Sequence, residues 1–258
     1  MSEAIPSYPD LAGKVALVTG ASQGIGRACC RMLAANGVRV AAVSRSPGPI
    51  DATVAELREL GGEAIGVSAD ATDAEAIAGA RATTERELGT VDVLLPYAGG
   101  FGAFTPVWDI SPDEWRAVIE ENLTSTFLTV REFVPGMIER RRGAIVTMSS
   151  ISGRFLDKTV TASYAAAKAA VAMYTRHAAI ELGPHRVRIN SIAPGTTRSE
   201  RIDRIMDDEA QRRTAALSPL GRMGTPEDCA HATLYLVSNA SAYLTGVTLD
   251  INGGRVML

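Results

Sequence analysis

Short apolar segments rich in β-branched residues recur along the chain, separated by longer segments with helical spacing. Most of the short segments lack alternating polar residues, as is typical of strands that are buried on both faces of a sheet. The predicted strands are residues 15–18, 38–43, 64–67, 91–95, 144–148, 187–192 and 247–251. Alternation of such strands with helices predicts an α/β fold, in which helices cover both faces of a doubly wound parallel sheet of about seven strands.

Residues that start or stop helices mark several of the intervening segments. Ser111 and Glu114 form a capping box with proline at the first helical position, and Thr225 and Asp228 repeat the pattern with aspartate in the glutamate position. The alanine-rich residues 164–182 predict a further helix, which ends before a Gly-Pro pair. These signals place helices between the predicted strands and support the α/β assignment.

No linker, low-complexity tract or internal repeat divides the chain, so we predict one domain over residues 1–258, with an N-terminal arm at 1–11. The connection between the last two predicted strands, residues 194–246, is much longer than a simple crossover requires. It starts at the carboxyl end of a strand, where doubly wound sheets bind ligands. We therefore predict a substrate lid at residues 196–222. The alternative is a solvated surface helix, because residues 198–213 are densely charged.

The charge and composition of the chain exclude several classes of function. The 258 residues include 26 basic and 29 acidic side chains, a net charge of −3, whereas nucleic-acid-binding domains carry a strong basic excess. No apolar run approaches the roughly 20 residues that span a bilayer, and residues 1–10 offer no apolar stretch for a signal peptide. The charge and the short apolar runs therefore predict no nucleic-acid or membrane partner. Three cysteines (Cys29, Cys30 and Cys229) cannot form a disulfide framework, so we expect a cytoplasmic protein. Cys29 and Cys30 are expected to fill the core.

A glycine-rich turn follows the first predicted strand and precedes a helix. Glycines permit a tight turn in which backbone N–H groups approach a pyrophosphate, and the helix N-terminus adds partial positive charge. The turn is not a P-loop, because no Gly-Lys-Ser/Thr sequence closes it, and its spacing differs from G-x-G-x-x-G. Although such a turn alone can be structural, its place after the first strand predicts a dinucleotide site. The candidate binding residues in it are Gly20, Ser22, Gln23, Gly24, Ile25 and Gly26.

The end of the second predicted strand indicates which dinucleotide binds. NAD sites place a carboxylate about 20 positions after the glycines, for the ribose 2′-hydroxyl, whereas this chain has Ser44 and Arg45 there. A guanidinium pairs with phosphate, and the missing carboxylate removes a repulsion, so the predicted cofactor is NADP(H). The alternative is an exposed arginine without a ligand. After the third predicted strand, Asp70, followed by Ala71, either accepts a hydrogen bond from the adenine amino group or starts a turn.

Tyr164 and Lys168 lie four positions apart, on one face of the predicted alanine-rich helix. A phenol with an ordinary pKa near 10 is a poor proton donor at neutral pH, and a neighbouring ammonium group stabilises the phenolate. The pair is thus a candidate general acid and base, although Y-x-x-x-K alone also occurs on ordinary helix surfaces. The upstream glycine turn favours the catalytic interpretation.

In combination, these residues resemble the short-chain dehydrogenase/reductase family over nearly the whole chain. The further matching blocks are Ala98-Gly99, Asn122 in Glu-Asn-Leu-Thr, Ser150 and Pro194-Gly195. The C-terminal blocks within residues 221–254 look most like the 3-oxoacyl-carrier-protein reductase branch, although reductases of other substrates share them. The fold that this resemblance implies is a Rossmann-type doubly wound sheet.

The resemblance also implies a role for each matching residue. Tyr164 would protonate the carbonyl oxygen of the substrate, and Ser150 would hydrogen-bond that oxygen. Lys168 would lower the pKa of the Tyr164 phenol and bind the nicotinamide ribose. Asn122, within the helix that begins at Ser111, would hold a water that joins Lys168 to bulk solvent. The further implied cofactor contacts are Ala98, Gly99, Pro194, Gly195 and Thr197. A homotetramer is implied as well, whereas a metal is not.

Three positions depart from the family pattern. Pro96-Tyr97 replaces the family's Asn-Asn, which removes a backbone donor and a small polar side chain at a strand end. Ser150 precedes Tyr164 by fourteen positions, slightly more than is common in the family, which implies a longer loop. Gln23 stands where some NADP-dependent relatives carry a base, which leaves Arg45 as the main phosphate-binding residue.

The sequence thus predicts an NADPH-dependent carbonyl reductase or alcohol dehydrogenase that acts on a small-molecule carbonyl compound or alcohol. Two alternatives stay open, a non-catalytic NADP(H)-binding regulator and an NAD-dependent dehydrogenase of the same family. Phe101, Phe104 and Phe155 favour an apolar or ring-bearing substrate, unless these rings simply pack on the lid. The arginines at 140–142 either complement the dipole at a helix end or dock an acidic acyl carrier protein.

Overall fold

One parallel sheet runs through the part of the chain that the computed structural model describes, which comprises residues 5–155, 159–199, 202–203 and 206–257. Its strands are β1 (Val15–Thr19), β2 (Arg39–Ser44), β3 (Ala64–Ser68), β4 (Val93–Pro96), β5 (Gly143–Met148), β6 (Val187–Pro194) and β7 (Thr248–Ile251). They pair in the order β3-β2-β1-β4-β5-β6-β7, and every pair is parallel. This arrangement confirms the predicted Rossmann-type doubly wound α/β fold.

The strands in the middle of the sheet are buried, as their unbroken apolar sequences predict. Every residue of β1 and β4 is buried, because helices cover both faces. Successive residues of β1 point to opposite faces: Ala16 and Val18 belong to one core, and Val15 and Leu17 belong to the other. In the edge strand β3 only Ala64 is buried, and the residues after it are intermediate or exposed.

Helices divide between the two faces of the sheet. They are α1 (Gly24–Ala35), α2 (Pro47–Glu59), α3 (Ala74–Glu87), α4 (Pro112–Ile119), α5 (Ser125–Arg140), α6 (Ala162–Leu182), α7 (Asp208–Ala216) and α8 (Pro226–Val237). Buried residues of α1, α2 and α8 pack in one core, and those of α3, α5 and α6 pack in the other. Across the described ranges, no helix is both long enough and apolar enough to span a membrane.

The three cysteines lie in the core between α1, α8 and the sheet, and none forms a disulfide. Burial raises the pKa of the Cys29 and Cys30 thiols, and it raises the pKa of Cys229 to about 12. Neutral buried thiols behave as small apolar side chains. The core-filling role is therefore confirmed, whereas the cytoplasmic location stays a prediction.

Several predicted boundaries shift in the structure. The strand predicted at 91–95 comprises Val93–Pro96. The two residues before it accept hydrogen bonds from arginines: Arg140 donates to the Val91 carbonyl at 2.8 Å, and Arg142 donates to the Asp92 carboxylate at 2.9 Å. β1, β3 and β5 each differ from their predicted ranges by one residue at one end. The other changes are β2 at Arg39–Ser44 for 38–43, β6 at Val187–Pro194 for 187–192, β7 at Thr248–Ile251 for 247–251 and α6 at Ala162–Leu182 for 164–182. β6 is longer than predicted because its last residues pair with β7.

The arginine run serves the end of α5 at the amino-terminal edge of the sheet. Besides the two bonds of Arg140 and Arg142, Arg141 has a left-handed backbone with φ of 52° and donates to the Pro184 carbonyl at 3.0 Å. These contacts support the helix-end interpretation. The run lies at the opposite edge from the carboxyl ends of the strands, so docking of an acyl carrier protein there stays a prediction without structural support.

Candidate active site

A cleft of about 740 Å³ lies at the carboxyl ends of the strands, beside the reversal of strand order between β1 and β4. Its size is typical of a small-molecule or cofactor site. The structure brings all but one of the sequence-predicted site residues to this cleft: Gly20, Ser22, Gln23, Gly24, Ile25, Gly26, Ser44, Arg45, Asp70, Ala71, Ala98, Gly99, Ser150, Tyr164, Lys168, Pro194, Gly195 and Thr197. The exception is Asn122, which is buried behind the cleft wall.

The glycine turn between β1 and α1 is tightly folded, because two of its glycines meet backbone atoms. Gly20 has a φ of +66°, and a Cβ there would lie 2.7 Å from the Tyr97 carbonyl oxygen. A Cβ on Gly26 would overlap the Gly20 carbonyl oxygen. The Gln23 side chain does not cap the first N–H groups of α1. The N-terminus of α1 therefore keeps donors for an anion in the cleft.

Polar groups gather at one end of the cleft, which we call the β2 end and which comprises Ser44, Arg45, Asp70, Ala71 and Glu121. The Ser44 hydroxyl oxygen is buried and has no hydrogen-bond partner among the described residues. Buried polar groups are normally hydrogen-bonded. This hydroxyl therefore fits a ligand that supplies a polar partner there, as a ribose would.

Asp70 starts a turn, which confirms one of its two predicted roles. Its Oδ1 accepts hydrogen bonds from the Thr72 backbone N–H at 2.9 Å and from the Thr72 hydroxyl at 2.8 Å. The pKa of Asp70 is lowered by the Thr72 backbone N–H, by the Thr72 hydroxyl and by the charge of Arg45. The carboxylate is therefore ionised at neutral pH, and its contact with an adenine amino group stays a prediction.

Arg45 has an acidic partner that the sequence did not suggest. Its Nη1 lies 3.6 Å from Oε1 of Glu121, and both side chains are partly exposed. Glu121 lies in a π-helical turn, Glu120–Thr124, that joins α4 to α5. A π-helical turn changes which face a side chain occupies, so the helical periodicity of the sequence gave no signal for this contact.

Tyr164 and Lys168 lie in the first turns of α6, and both are buried. Lys168 Nζ is 5.6 Å from the centroid of the Tyr164 ring and donates to the Met148 carbonyl at 3.0 Å. Burial lowers the pKa of Lys168 to about 8. At neutral pH the ammonium form still predominates, so a positive charge lies beside the phenol.

Two adjacent serines after β5 have different hydrogen bonds. The Ser150 oxygen accepts from the Ser152 backbone N–H at 3.2 Å, and this leaves the Ser150 O–H to donate elsewhere. The Ser149 hydroxyl donates to the Lys168 carbonyl at 2.8 Å and thereby ties β5 to α6. Ser150 is thus the serine whose donor is available to a ligand in the cleft.

Gly153 fixes the position of the serine turn, and the sequence reasoning missed it. It ends the short 3₁₀ turn Ile151–Gly153, which packs against α6. A Cβ on Gly153 would lie 2.5 Å from both the Ala169 nitrogen and the Lys168 carbonyl carbon. Only glycine permits this approach. A serine followed three positions later by glycine after a buried strand is the signal that would have indicated it.

Asn122 joins the π-helical turn to the loop after β4. Its side-chain oxygen accepts from the Gly100 N–H at 3.1 Å, and its Nδ2 donates to the carbonyls of Gly100 at 2.9 Å and Val118 at 3.0 Å. Its own backbone carbonyl accepts from the Thr126 hydroxyl at 3.2 Å. The sequence placed Asn122 within the helix that begins at Ser111, whereas the structure places it in the π-helical turn that follows α4. Its water-binding role stays a prediction.

Known proteins are similar to this chain in sequence and in fold. A family model described as enoyl-(acyl carrier protein) reductase matches residues 20–255, which include the glycine turn, Tyr164 and Lys168. The chain belongs to the short-chain dehydrogenase/reductase family. Because the family model describes a reductase and a similar relative is a dehydrogenase, the chain is an oxidoreductase.

Individual relatives of this short-chain dehydrogenase/reductase differ in their named activities. Short-chain reductase protein NovJ of Streptomyces niveus is 38% identical over 249 residues, which cover 93% of each chain. Cyclohexanol dehydrogenase of Rhodococcus sp. strain TK6 is 39% identical over 267 aligned positions, which cover 95% of this chain and 96% of that one. The crystal structure of a 3-oxoacyl-[acyl-carrier protein] reductase from Brucella melitensis with bound NAD superposes with a TM-score of 0.92 at 34% identity and covers 100% of this chain and 98% of that one.

The departure of this short-chain dehydrogenase/reductase at Pro96-Tyr97 is accommodated by the core. The Tyr97 side chain is buried in the core shared by α1, α8 and the sheet, and its hydroxyl hydrogen-bonds the Thr233 hydroxyl of α8 at 2.8 Å. Pro96 is the last residue of β4, where it pairs with Thr19 of β1 and lies beyond the residues that pair with β5. The following Ala98 N–H donates to the Thr19 hydroxyl at 2.9 Å, which holds the strand end in place.

Described residues of the predicted lid line the remaining side of the cleft, namely Thr196, Thr197, Arg198, Ser199, Ile202, Met206, Thr214 and Leu217. Residues 200, 201, 204 and 205 of the predicted lid lie outside the described residues. The Phe101 ring meets the Tyr164 ring edge-on, with centroids 5.8 Å apart, whereas the rings of Phe104 and Phe155 are more than half exposed. Among the three predicted phenylalanines, Phe101 is therefore the one that borders the phenol.

Metal-ligating side chains do not gather in the described parts of the chain, where no group of three or more His, Cys, Asp or Glu is placed to hold an ion. The cationic groups of the cleft are instead guanidinium and ammonium groups. Apart from Arg45 and Lys168, they are Arg198 and Arg255, of which Arg255 donates to the Thr196 hydroxyl at 3.3 Å.

Proposed function

We propose that this short-chain dehydrogenase/reductase is an NADPH-dependent carbonyl reductase that also oxidises the corresponding secondary alcohols. The observation that carries the proposal is the meeting of Tyr164, Lys168 and Ser150 in the same cleft as the glycine turn. Relatives named for a reductase and for a cyclohexanol dehydrogenase support both directions of this chemistry.

The residues of the cleft fit an NADP(H) molecule. The glycine turn (Gly20, Ser22, Gln23, Gly24, Ile25 and Gly26) and the α1 N-terminus would hold the pyrophosphate. The unpartnered Ser44 hydroxyl and the Arg45 guanidinium would bind the adenosine ribose and its 2′-phosphate. Asp70 and Ala71 would border the adenine, while Ala98 and Gly99 would line the middle of the site. Pro194, Gly195 and Thr197 would border the nicotinamide, which supplies or accepts the hydride when bound.

The chain itself contributes proton transfer and orientation. The Ser150 O–H is available to donate to the substrate oxygen and to stabilise the negative charge that develops on it. The Tyr164 hydroxyl would donate its proton to that oxygen during reduction and accept one during oxidation. The buried Lys168 ammonium stabilises the phenolate that remains. The Asn122 carbonyl, which has a second lone pair beside its bond to Thr126, would hold a water on the route by which the proton is replaced.

The proposed substrate is a ketone or secondary alcohol with an apolar or ring-shaped body. Phe101 beside Tyr164, together with Ile202, Met206 and Leu217 of the predicted lid, offers apolar surface around the reacting oxygen. Residues 196–222 would close over this substrate, as the long connection after β6 suggests.

A homotetramer is part of the proposal, because two helix faces remain apolar and exposed. On α6, Met173 and Ile180 are 60% and 77% exposed, and Phe127 of α5 is 42% exposed. Contiguous exposed apolar surface on paired helices is typical of a subunit interface.

The test of the function is the loss of turnover in Tyr164→Phe. Removal of the hydroxyl takes away the proton donor, so we expect NADPH oxidation with cyclohexanone and related ketones to fall by at least about a hundredfold, while NADPH still binds. Tyr174→Phe, ten positions along the same helix and packed against Phe127 rather than in the cleft, is the matched control. Unchanged turnover in Tyr164→Phe would refute the mechanism, and binding without turnover by the wild-type protein on a broad ketone panel would favour the regulator.

An NAD-dependent dehydrogenase is the second candidate, and two observations favour it. The contact between Arg45 and Glu121 occupies the group that would bind the 2′-phosphate, and the similar Brucella melitensis reductase was solved with NAD. Arg45→Asp separates the two candidates. We expect this variant to lose its preference for NADPH over NADH, whereas no change in that preference would favour the second candidate.

A further inference from the structure

Glu121 places a second carboxylate at the β2 end of the cleft. Its Oε1 lies 3.6 Å from Nη1 of Arg45. Arg45 follows β2, whereas Glu121 precedes α5, and β1 lies between β2 and β4 in the sheet. The ion pair therefore joins two walls of the cleft across the end of β1, where the glycine turn begins.

The acidic side chains at the β2 end outnumber the cationic ones, which disfavours the binding of an anion there. Of its five residues, Arg45 is cationic, whereas Asp70 and Glu121 are acidic. The lowered pKa of Asp70 keeps that carboxylate ionised at neutral pH. Two carboxylates thus face one guanidinium, although a 2′-phosphate would bring close to two further negative charges.

The two dinucleotides respond differently to this carboxylate. A phosphate must take Arg45 away from Glu121 and is then repelled by the freed carboxylate, whereas a ribose 2′-hydroxyl can donate a hydrogen bond to a carboxylate. Because both side chains are partly exposed, the repulsion is moderate and depends on ionic strength.

We propose that Glu121 is a coenzyme-specificity residue, which offsets Arg45 through their ion pair and thereby weakens the discrimination between NADP(H) and NAD(H). The inference rests on the proposed dinucleotide-dependent function. It assigns the specificity of the site to a pair of residues from two walls rather than to the end of β2 alone. The residual preference of the wild-type protein is then the balance between these two side chains.

Glu121→Gln tests the inference, because it removes the charge and retains the shape. Glu120→Gln is the matched control: it makes the same change at the neighbouring residue, which is exposed and does not line the cleft. Dissociation constants of NADPH and NADH are measured by calorimetry for the wild-type protein and both variants, at low and at high ionic strength.

We expect Glu121→Gln to bind NADPH about threefold to tenfold more tightly at low ionic strength, and the gain to shrink in high salt. NADH binding should stay the same or weaken, so that the ratio of the two constants shifts toward NADPH. The ratio in Glu120→Gln should match that of the wild-type protein. Equal ratios in Glu121→Gln and Glu120→Gln would overturn the inference and leave the proposed function intact. Failure of the wild-type protein to bind either dinucleotide would overturn the proposed function itself.

Discussion

Lys168 carries its charge in a buried place, where a hydrogen bond to the Met148 carbonyl supports it. Burial lowers its pKa from 10.5 to about 8, so that folding makes the ammonium form more costly than it is in water. The group therefore destabilises the coenzyme-free protein at neutral pH. This loss of stability arises because the positive charge beside the Tyr164 phenol is buried.

Lys168→Met should change how stability depends on pH. Between about pH 8 and 10.5, the unfolded wild-type chain binds more protons at Lys168 than the folded chain does, so this group adds stability as the pH rises. The free energy of unfolding of the wild-type protein, minus that of Lys168→Met, should therefore increase by up to about 3 kcal/mol as the pH rises over this range. Urea unfolding without coenzyme at several pH values measures the difference.

Lys14→Met controls for the loss of a lysine, because Lys14 pairs with Asp10 at the surface rather than in the cleft. If the difference between the wild-type protein and Lys168→Met does not change across the range, the buried ammonium does not carry the assigned cost.

Local sequence predicted most of the elements that carry the site, but not all of their contacts. Tyr164 and Lys168 share a helix face because of their spacing, and Gly20 to Gly26 form a turn because of theirs. Glu121 and Asn122 lie in a π-helical turn, which no periodicity of the sequence indicates. Its position depends on bonds between Asn122 and the distant Gly100 loop, and such long-range packing is not encoded in a local pattern.

The glycine turn offers a test at the level of one element. Gly26→Ala places a Cβ against the Gly20 carbonyl oxygen, where only backbone movement can relieve the overlap. We expect this variant to lose about 2 kcal/mol or more of stability and to bind dinucleotides weakly, because the turn must open. Thermal unfolding and NADPH titration measure both effects.

Gly79→Ala is the matched control, because Gly79 lies at an exposed position of α3, where an added Cβ would point into open space. Alanine is the better helix former, so this variant should gain about 0.5–1 kcal/mol of stability. Similar behaviour of the two variants would contradict the assigned packing of the turn.

At the scale of the whole molecule, the position of the cleft depends on strand order more than on any single residue. Helical and apolar patterns predict seven strands and a doubly wound sheet, yet the pairing of β1 with both β2 and β4 is what creates the cleft. The departure at Pro96-Tyr97 illustrates the limit of local reasoning. Its consequence could not be predicted, because the Tyr97 hydroxyl is satisfied by Thr233 from the far end of the chain.

The proposed homotetramer predicts that a charge on the exposed face of α6 changes the size of the particle. Ile180→Glu should give a smaller species in sedimentation velocity, because a buried, unpaired carboxylate is costly at an apolar interface. Leu60→Glu, at another exposed apolar residue, which follows α2, is the control and should leave the size unchanged. Identical sedimentation of Ile180→Glu and the wild-type protein would exclude this face of α6 from the interface.

Gly153 has a consequence for how such an enzyme can acquire new substrates. Because a Cβ on Gly153 would overlap the backbone of α6 at Lys168 and Ala169, the chain fits against the helix that carries Tyr164 only with glycine at this position. We therefore expect changes of length beyond Gly153 to leave Ser150 in register with Tyr164, which would accommodate the slightly longer spacing between them. Under the proposed function, we therefore expect substitutions at Thr159 and Val160, which line the cleft just before α6, to change substrate range with the least effect on proton transfer.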